Sequence, residues 1–269
     1  MLVSRGLAGS RPQAAALIAR GVVLVSGTLA DKPARLVSAA EPVELLGDPP
    51  PFVSRGGQKL AAALDRFGLH ARGRRALDAG ASTGGFTDCL LQAGAAEVVA
   101  VDVGHGQLHP RLRSDPRVVN HERLDVRQVT LDTVGGTPVD LVVADLSFIS
   151  ATRAVPVLTG GVAVPGAPVV LLVKPQFEAG RVEASRGRGV IRDRSVHRRT
   201  LGEVATALGD AGADIMGAMP SPLTGHAGNV EFLLYARTPG GAATGPSDTA
   251  GLLDAAVDEA HPAAPGTGD

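Results

Sequence analysis

The chain has 269 residues, 44% of them hydrophobic, which is enough for one large domain with a smaller appendage. Every apolar run is shorter than the roughly 18 residues of a membrane span, and Arg5, Arg11 and Arg20 interrupt the N-terminal segment. We therefore expect neither a membrane span nor a secretory signal. The single cysteine, Cys89, cannot form an internal disulfide, so we expect a buried thiol and a cytoplasmic protein.

The formal net charge of −1 conceals an uneven distribution. Residues 1–38 carry five basic side chains and one acid, whereas residues 238–269 carry five acids and no Lys or Arg. A basic segment beside a neutral body indicates an anionic partner. The acidic tail, 238–269, is rich in Gly, Pro, Ala and Thr, so we predict that it is disordered and that nothing ties its short helical stretch to the core.

Residues 1–48 predict a small α+β unit. Pro12 to Arg20 reads as a helix with Ser10 as its cap, and Val22 to Val25 begins a hairpin. The prolines of the segment 49–54 predict a stiff, extended linker.

Residues 55–237 alternate strand-like and helix-like runs, which is typical of a parallel sheet covered by helices. We predict a Rossmann-like α/β domain with a mostly parallel sheet of the seven-stranded type and helices on both faces. The strand candidates are 75–79, 97–102, 118–121, 139–144, 169–173 and 231–236.

A glycine turn follows the predicted strand 75–79 and precedes a helix-like segment that starts at Phe86. A second apolar run then ends on Asp102, whose carboxylate is placed to accept hydrogen bonds from ribose hydroxyls. Three residues separate Gly80 from Gly84, which departs from the dinucleotide pattern G-x-G-x-x-G and favours S-adenosylmethionine over NAD. The candidate cofactor-binding residues of the turn are Gly80, Ser82, Thr83, Gly84 and Gly85.

Four further polar residues lie at the ends of predicted elements. Lys59 opens the helix before the first strand of the sheet, Asp145 and Lys174 end apolar strands, and Glu231 opens the last strand. In an open α/β sheet, ligands bind outside the carboxyl ends of the strands, so one cleft could collect these residues. The alternative for each residue alone is a solvated strand end.

Five sequence motifs resemble those of a known protein family. They are Ser-Arg-Gly-Gly-Gln-Lys-Leu (54–60), Leu-Asp-Ala-Gly-Ala-Ser-Thr-Gly-Gly-Phe-Thr-Asp (77–88), Val-Asp-Val-Gly-His-Gly-Gln-Leu (101–108), Ala-Asp-Leu-Ser-Phe-Ile-Ser (144–150) and Val-Lys-Pro-Gln-Phe-Glu (173–178). In this order they closely resemble the TlyA family, ribosomal-RNA 2′-O-methyltransferases that are also labelled haemolysin A. The resemblance implies an FtsJ-type catalytic domain, S-adenosylmethionine as cofactor, no metal, and cytidines in 16S and/or 23S rRNA or ribosomal subunits as targets.

The resemblance also implies roles for single residues. The Lys-Asp-Lys-Glu tetrad of FtsJ-type enzymes falls on Lys59, Asp145, Lys174 and Glu231. A ribose hydroxyl must lose its proton to attack a methyl group, and our hypothesis is that Lys174 is the base. Asp145 and Glu231 would orient Lys174 and Lys59. The glycine turn would bind the methionine part of the cofactor, Asp102 the ribose and Asp125 the adenine, although Asp125 could equally be a turn former.

The first 48 residues resemble the small RNA-binding domain named for ribosomal small-subunit protein four. Relatives of that domain begin with a further helical turn containing Arg-Leu-Asp, so we expect either a shortened first helix or a start set too late. The candidate RNA-binding residues are Arg5, Arg11, Arg20, Arg55, Arg186 and Arg188.

Residues 181–199 are rich in arginine, with only Glu183 and Asp193 to oppose the positive charge. We interpret this stretch as a phosphate-binding loop and helix start, with a solvated helix face as the alternative. Only seven aromatic residues are present, so phosphate contacts and shape recognition would dominate and binding would depend steeply on salt.

Three alternatives remain open at the level of sequence. A pseudouridine synthase can carry the same small domain but needs no cofactor, so the glycine turn argues against it. A membrane-active haemolysin is disfavoured because a signal, a span and a cationic amphipathic helix are all missing. A non-catalytic rRNA-binding factor would leave both lysines and both acids unexplained.

Overall fold

The computed structural model describes residues 1–19, 21–30, 32–47, 50–241 and 248–262. They divide into two compact units, Met1–Ser54 and Arg55–Asp269.

The small unit contains one helix and a three-stranded antiparallel sheet. Its elements are α1 (Arg11–Ala19), β1 (Val23–Val25), β2 (Thr28–Leu29) and β3 (Val43–Leu45). The predicted helix and hairpin are confirmed, and Ser10 Oγ accepts a hydrogen bond from the backbone N–H of Gln13 at 3.3 Å. The strand β3 was not predicted, because three residues are too few to show a clear alternation. It pairs with β1 and completes the sheet.

The large unit contains a sheet of seven strands within the described residues. The strands are β4 (Arg75–Ala79), β5 (Glu97–Asp102), β6 (Val118–Glu122), β7 (Leu141–Ala144), β8 (Pro168–Val173), β9 (Asp214–Pro220) and β10 (Phe232–Arg237). The helices are α2 (Gly56–Arg66), α3 (Gly85–Gln92), α4 (Pro110–Arg113), α5 (Val155–Leu158), α6 (Pro175–Glu178), α7 (Arg181–Arg186), α8 (Arg194–Asp210) and α9 (Thr249–Ala260). All six predicted strands are confirmed to within two residues at each end.

The strand order is β6-β5-β4-β7-β8-β10-β9, and β10 runs antiparallel to both of its neighbours. Successive side chains of a strand point to opposite faces, and both sets are buried: Ala76 and Leu77 of β4 are each 0% exposed. Helices therefore cover both faces of the sheet, and the predicted Rossmann-like α/β fold with a mostly parallel sheet is confirmed.

The order of the strands reverses between β4 and β7. The chain runs outward from β4 to β5 and β6, and then returns to the other side of β4 with β7 and β8. Such a switch point opens a crevice at the carboxyl ends of the two central strands, which is where open α/β sheets bind ligands. Gly80 follows β4 at this point, and Asp145 follows β7.

The edge strand β9 was not predicted from the sequence. Its residues alternate between half-buried and buried, but Gly217 and two methionines give a weak strand signal. The glycine has a packing role, since a Cβ at this position would lie 2.8 Å from Cε1 of Phe67. The ring of Phe67 in turn packs against Tyr235 of β10.

The prediction of a disordered tail over 238–269 is wrong for α9. Asp248 caps this helix by accepting a hydrogen bond from the backbone N–H of Gly251 at 2.8 Å, and the helix packs against β9. Three residues at helical spacing are buried in the core: Leu253, Ala256 and Val257. The prediction failed because the Gly- and Pro-rich residues on either side of α9 dominate the composition of the tail. Residues 242–247 and 263–269 lie outside the described part of the chain.

No helix in the described ranges is long and apolar enough to cross a membrane. Cys89 is buried as expected, and burial raises the pKa of its thiol to about 12, so it is not a nucleophile at neutral pH.

Candidate active site

Two buried lysines form ion pairs with carboxylates in the large unit. The chain has only three lysines, and Lys59 and Lys174 are 7% and 9% exposed. Lys59 Nζ donates a hydrogen bond to Glu231 Oε2, and Lys174 Nζ lies 2.6 Å from Asp145 Oδ1. Because a buried charge is costly unless it is paired, each lysine requires its carboxylate.

The sheet register brings the two pairs together. Phe232 of β10 lies opposite Val173 of β8 in the antiparallel register, so the adjoining residues Glu231 and Lys174 are neighbours. Lys59 reaches the same place from α2 through Glu231. The structure thus brings all four predicted tetrad residues to one end of the sheet.

Lys174 Nζ has a further partner that was not predicted. It donates a hydrogen bond of 2.7 Å to the hydroxyl of Ser147, and it lies 5.8 Å from the ring centroid of Phe177. Ser147 is exposed, whereas Lys174 is buried. The lysine nitrogen is therefore held by one carboxylate and one hydroxyl at the edge of solvent.

The glycine turn is held in a conformation that glycine favours. Gly80 and Gly84 have φ angles of +85° and +95°, and Ser82 between them has φ of +49°. Ser82 and Thr83 are exposed, and Gly85 starts α3. The turn therefore offers backbone and hydroxyl groups at the switch point.

We expect Gly80→Ala to disable this turn. A Cβ there would lie 2.5 Å from the carbonyl oxygen of Asp145, and the positive φ adds strain of about 1 kcal/mol or more. Cofactor binding, measured by calorimetry, should fall below detection. Gly209→Ala in α8 is the matched control: nothing lies within 4 Å of its Cβ, so binding should not change. Normal binding by Gly80→Ala would contradict a role for the turn.

Asp102 holds the turn by its carboxylate. Its Oδ2 accepts a hydrogen bond from the backbone N–H of Ser82 at 2.8 Å, and its Oδ1 accepts one from Gly104 at 2.6 Å. Each carboxylate oxygen keeps a second lone pair for a ligand hydroxyl. The assignment of Asp102 to the ribose stays a prediction.

Asp125 is a turn former in this structure. Its carboxylate accepts hydrogen bonds from the backbone and side chain of Arg127, and it caps the short turn Val126–Gln128. The Arg127 side chain, with its backbone N–H, holds the pKa of Asp125 down at about 2. A contact with adenine stays a prediction, and one that must share the carboxylate with Arg127.

Asp78, two residues before Gly80, is a buried acid that was not predicted. It is 0% exposed; Thr87 Oγ1 donates to its Oδ2 at 2.6 Å, and its Oδ1 has no hydrogen-bond partner among the described residues. Burial raises the pKa of Asp78 to about 7, the Thr87 hydrogen bond opposes that rise, and the charges of Asp145 and Asp102 add to it. The uncharged acid is therefore favoured in the folded protein at mildly acid pH.

This raised pKa predicts a pH-dependent stability. The contribution of Asp78 to the free energy of unfolding is complete below the ordinary pKa of 3.8 and is lost as the pH rises through about 7. Between these two pKa values it falls by about 1.4 kcal/mol for each pH unit. Asp78→Asn keeps an acceptor for Thr87 but has no proton to lose. We expect its thermal midpoint to fall less than that of the wild type between pH 5 and 8. The exposed Asp65→Asn is the control; a variant and a wild type with equal slopes would contradict the assignment.

The candidate RNA-binding arginines of the small unit differ in their surroundings. Arg5 donates to the carbonyl oxygens of Glu41 and Ala39 at 2.6 and 2.8 Å, so it braces the unit's own loop. Arg11 is exposed at the start of α1. Arg20 lies outside the described residues.

In the large unit, Arg55 is exposed and donates to the carbonyl of Thr224, and Arg188 is exposed in the loop after α7. The side chain of Arg186 lies outside the described part of the structure. RNA contacts by these residues stay predictions.

The arginines of α8 are opposed by more acids than the sequence suggested. The expectation that only Glu183 and Asp193 oppose them is wrong, because α9 packs beside α8 and its acids form ion pairs with arginines of α8. The ion pairs are Arg194–Asp258, Arg198–Asp254, Arg199–Glu183 and Arg199–Glu203. Within the described residues, Arg188 and Arg192 of the loop before α8 are exposed and have no ion-pair partner.

The loop after β7 contains two residues that sequence reasoning missed. Ser147 contacts Lys174, and Phe148 is 93% exposed with φ of +64° and its ring 5.4 Å from that of Phe177. Glu178 of α6 anchors the far end of this loop at Ser150. The motif 144–150 was the available signal, but it did not show which of its side chains reach the lysine.

The chain is similar to known methyltransferases over most of its length. Residues 52–238 match the FtsJ-like methyltransferase family. The 16S/23S rRNA (cytidine-2'-O)-methyltransferase TlyA of Mycobacterium tuberculosis is 50% identical, with 88% of each chain covered. Hemolysin A of Brachyspira hyodysenteriae is 37% identical over 86% of this chain and 95% of its own.

A solved structure shares the fold of this chain. A candidate hemolysin from Streptococcus thermophilus, 36% identical, superimposes with a TM-score of 0.75 over 96% of this chain and 94% of its own. With its glycine turn and two lysine–carboxylate pairs at the switch point, the chain belongs to the TlyA family of FtsJ-like methyltransferases.

Proposed function

We propose that the protein transfers a methyl group from S-adenosylmethionine to the ribose 2′-hydroxyl of a cytidine in ribosomal RNA. The observation that carries this proposal is the meeting of the pairs Lys59–Glu231 and Lys174–Asp145 beside the glycine turn. The 50% identity to an enzyme named for cytidine-2'-O methylation of 16S and 23S rRNA supports the position of the methyl group and the choice of base.

The residues at the switch point fit a cationic adenosyl cofactor. When bound, S-adenosylmethionine supplies an electrophilic methyl group on a positively charged sulfur. Asp78 interacts electrostatically with both Asp145 and Asp102, and its Oδ1 lacks a partner among the described residues, so a bound cation would favour the charged form of this acid. Gly80, Ser82, Thr83, Gly84 and Gly85 would hold the methionine part, and Asp102 the ribose.

Lys174 is the base in this reaction. After the ammonium has given up one proton to solvent, the neutral amine Nζ takes the proton of the 2′-hydroxyl as the oxygen attacks the methyl carbon, and Asp145 holds that nitrogen in place. Glu231 holds Lys59, whose ammonium favours the negative charge that develops on the 2′-oxygen. The reaction then needs no metal ion.

RNA is recognised mainly through its phosphates. The exposed arginines Arg55 and Arg188 of the large unit, and Arg11 of the small unit, are available for phosphate oxygens. The exposed ring of Phe148 packs against Phe177, whose ring lies 5.8 Å from Lys174 Nζ, and it offers a face on which one base can stack. The protein would act in the cytoplasm, where ribosomal subunits are assembled.

The experiment uses methyl-labelled S-adenosylmethionine with small and large subunits, each isolated from cells that lack this gene. We expect label in the RNA of at least one subunit, recovered as 2′-O-methylcytidine after nuclease digestion, with a rate that falls steeply as salt rises. Label on a base would overturn the 2′-O assignment. Cofactor binding without label on either subunit would overturn the ribosomal substrate.

A further inference from the structure

Among the described residues, Ser147 is a hydrogen-bond partner of Lys174 that does not belong to the tetrad. Its hydroxyl accepts a hydrogen bond from Lys174 Nζ at 2.7 Å, a length typical of a strong hydrogen bond. The same nitrogen lies 2.6 Å from Asp145 Oδ1. Both contacts come from one short loop, 145–147, which follows β7.

One hydrogen-bond acceptor and one carboxylate on the same nitrogen have a specific consequence for a lysine that acts as a base. A neutral amine has two N–H bonds and one lone pair in a tetrahedral arrangement. If the Ser147 hydroxyl accepts one N–H and the carboxylate of Asp145, 2.6 Å from the nitrogen, attracts the other by its charge, the lone pair is left with a single direction. With Asp145 alone, the amine could rotate and spread its lone pair over several directions, which lowers the fraction of complexes aligned for proton transfer.

The loop that carries Ser147 is held at both ends. Gly80 lies against the carbonyl of Asp145 at its start. At its end, Glu178 accepts hydrogen bonds from Ser150 Oγ at 2.6 Å and from the backbone N–H of Ala151 at 2.8 Å. Glu178 lies on α6, directly after Lys174, so one clamp fixes the loop relative to the lysine.

The backbone of this loop is also strained. Phe148 has φ of +64°, which is unfavourable for a bulky side chain and costs about 1–3 kcal/mol. Such a conformation persists only where the surroundings enforce it. In this conformation the ring of Phe148 is exposed, while the hydroxyl of Ser147 accepts its hydrogen bond from Lys174.

We infer that Ser147 is a positioning residue of the methyl transfer, whose hydroxyl, together with Asp145, directs the lone pair of Lys174 toward the 2′-hydroxyl of the target nucleotide. The inference rests on the proposed function and extends it to a fifth side chain. After the transfer, the proton taken from the 2′-hydroxyl resides on Lys174, whose ammonium keeps its ion pair with Asp145 and its hydrogen bond to Ser147.

The test compares Ser147→Ala, Ser147→Thr and Ser150→Ala with the wild type. Single-turnover methylation is measured at saturating cofactor with the unmodified subunit that the wild type labels. We expect Ser147→Ala to slow the transfer by about 10- to 100-fold, while the Kd for S-adenosylmethionine and the affinity for the subunit stay unchanged. Ser147→Thr keeps the hydroxyl and should restore most of the rate. Ser150→Ala, the matched serine at the clamp, should have the smaller effect.

Each other outcome overturns the inference. A Ser147→Ala rate equal to the wild-type rate would show that the hydroxyl does not guide the lysine, while methylation by the wild type would leave the proposed function standing. Equal losses in Ser147→Ala and Ser147→Thr, or in Ser147→Ala and Ser150→Ala, would assign the effect to the loop rather than to the hydroxyl. A wild type that labels neither subunit would instead refute the proposed function.

Discussion

Lys174→Ala and Lys174→Arg are both expected to lower methyl transfer by about 10²–10⁴-fold. Alanine removes the base. Arginine keeps the positive charge beside Asp145, but it does not give up its proton at neutral pH and cannot accept another. The two variants should therefore be equally inactive while cofactor binding is retained. Transfer is measured with labelled S-adenosylmethionine, and binding by calorimetry.

Lys32→Ala is the matched control for this prediction. Lys32 is the third lysine of the chain and is exposed in the small unit. Its removal should leave the chemical step unchanged in single turnovers. An active Lys174→Arg variant would contradict proton removal by this residue and would assign it a purely electrostatic role.

Lys59→Met is expected to destabilise the large unit by about 3–5 kcal/mol. Glu231 is 3% exposed and has Lys59 as its ion-pair partner, so the substitution leaves a buried carboxylate uncompensated. The double variant Lys59→Met/Glu231→Leu removes both charges and should recover most of the stability without recovering methylation. That combination of results would assign the pair to the chemistry rather than to folding.

Urea unfolding followed by tyrosine fluorescence measures this effect in the large unit alone. Tyr235 of β10 is the single tyrosine, and the chain has no tryptophan. The exposed Lys32→Met should match the wild type within about 0.5 kcal/mol. A loss below about 1 kcal/mol for Lys59→Met, or a double variant that is no more stable than the single one, would contradict the buried-pair argument.

The sequence was most informative where strands end. Apolar runs that close on Asp145 and Lys174 predicted both the sheet and the edge at which these residues meet, because the carboxyl ends of parallel strands share one edge. The division into pairs was not predictable. The antiparallel register makes Glu231 a neighbour of Lys174, yet Glu231 pairs with Lys59 of α2 and Lys174 pairs with Asp145 after β7. These are long-range contacts that a sequence pattern does not show.

The features that were missed depend on tertiary structure. Ser147 and Glu178 are ordinary polar residues in sequence. Only the path of the folded loop brings Ser147 into contact with Lys174 and Ser150 into contact with Glu178. The tail helix α9 has an apolar face, but its flanking composition favoured disorder, and its acids meet the arginines of α8 only after folding. That contact pairs Arg194 and Arg198 with acids of α9, so these two arginines are not free for the predicted phosphate contacts.

The most direct test of the central claim is nucleoside mass spectrometry of rRNA from a strain that lacks this gene. The strain carries no copy, a wild-type copy or a Lys174→Arg copy, with equal amounts of the two proteins. We predict that 2′-O-methylcytidine at the target site is missing without the gene, is restored by the wild type and is not restored by Lys174→Arg. The same 2′-O-methylcytidine content in all three strains would contradict the claim that this protein methylates ribosomal RNA.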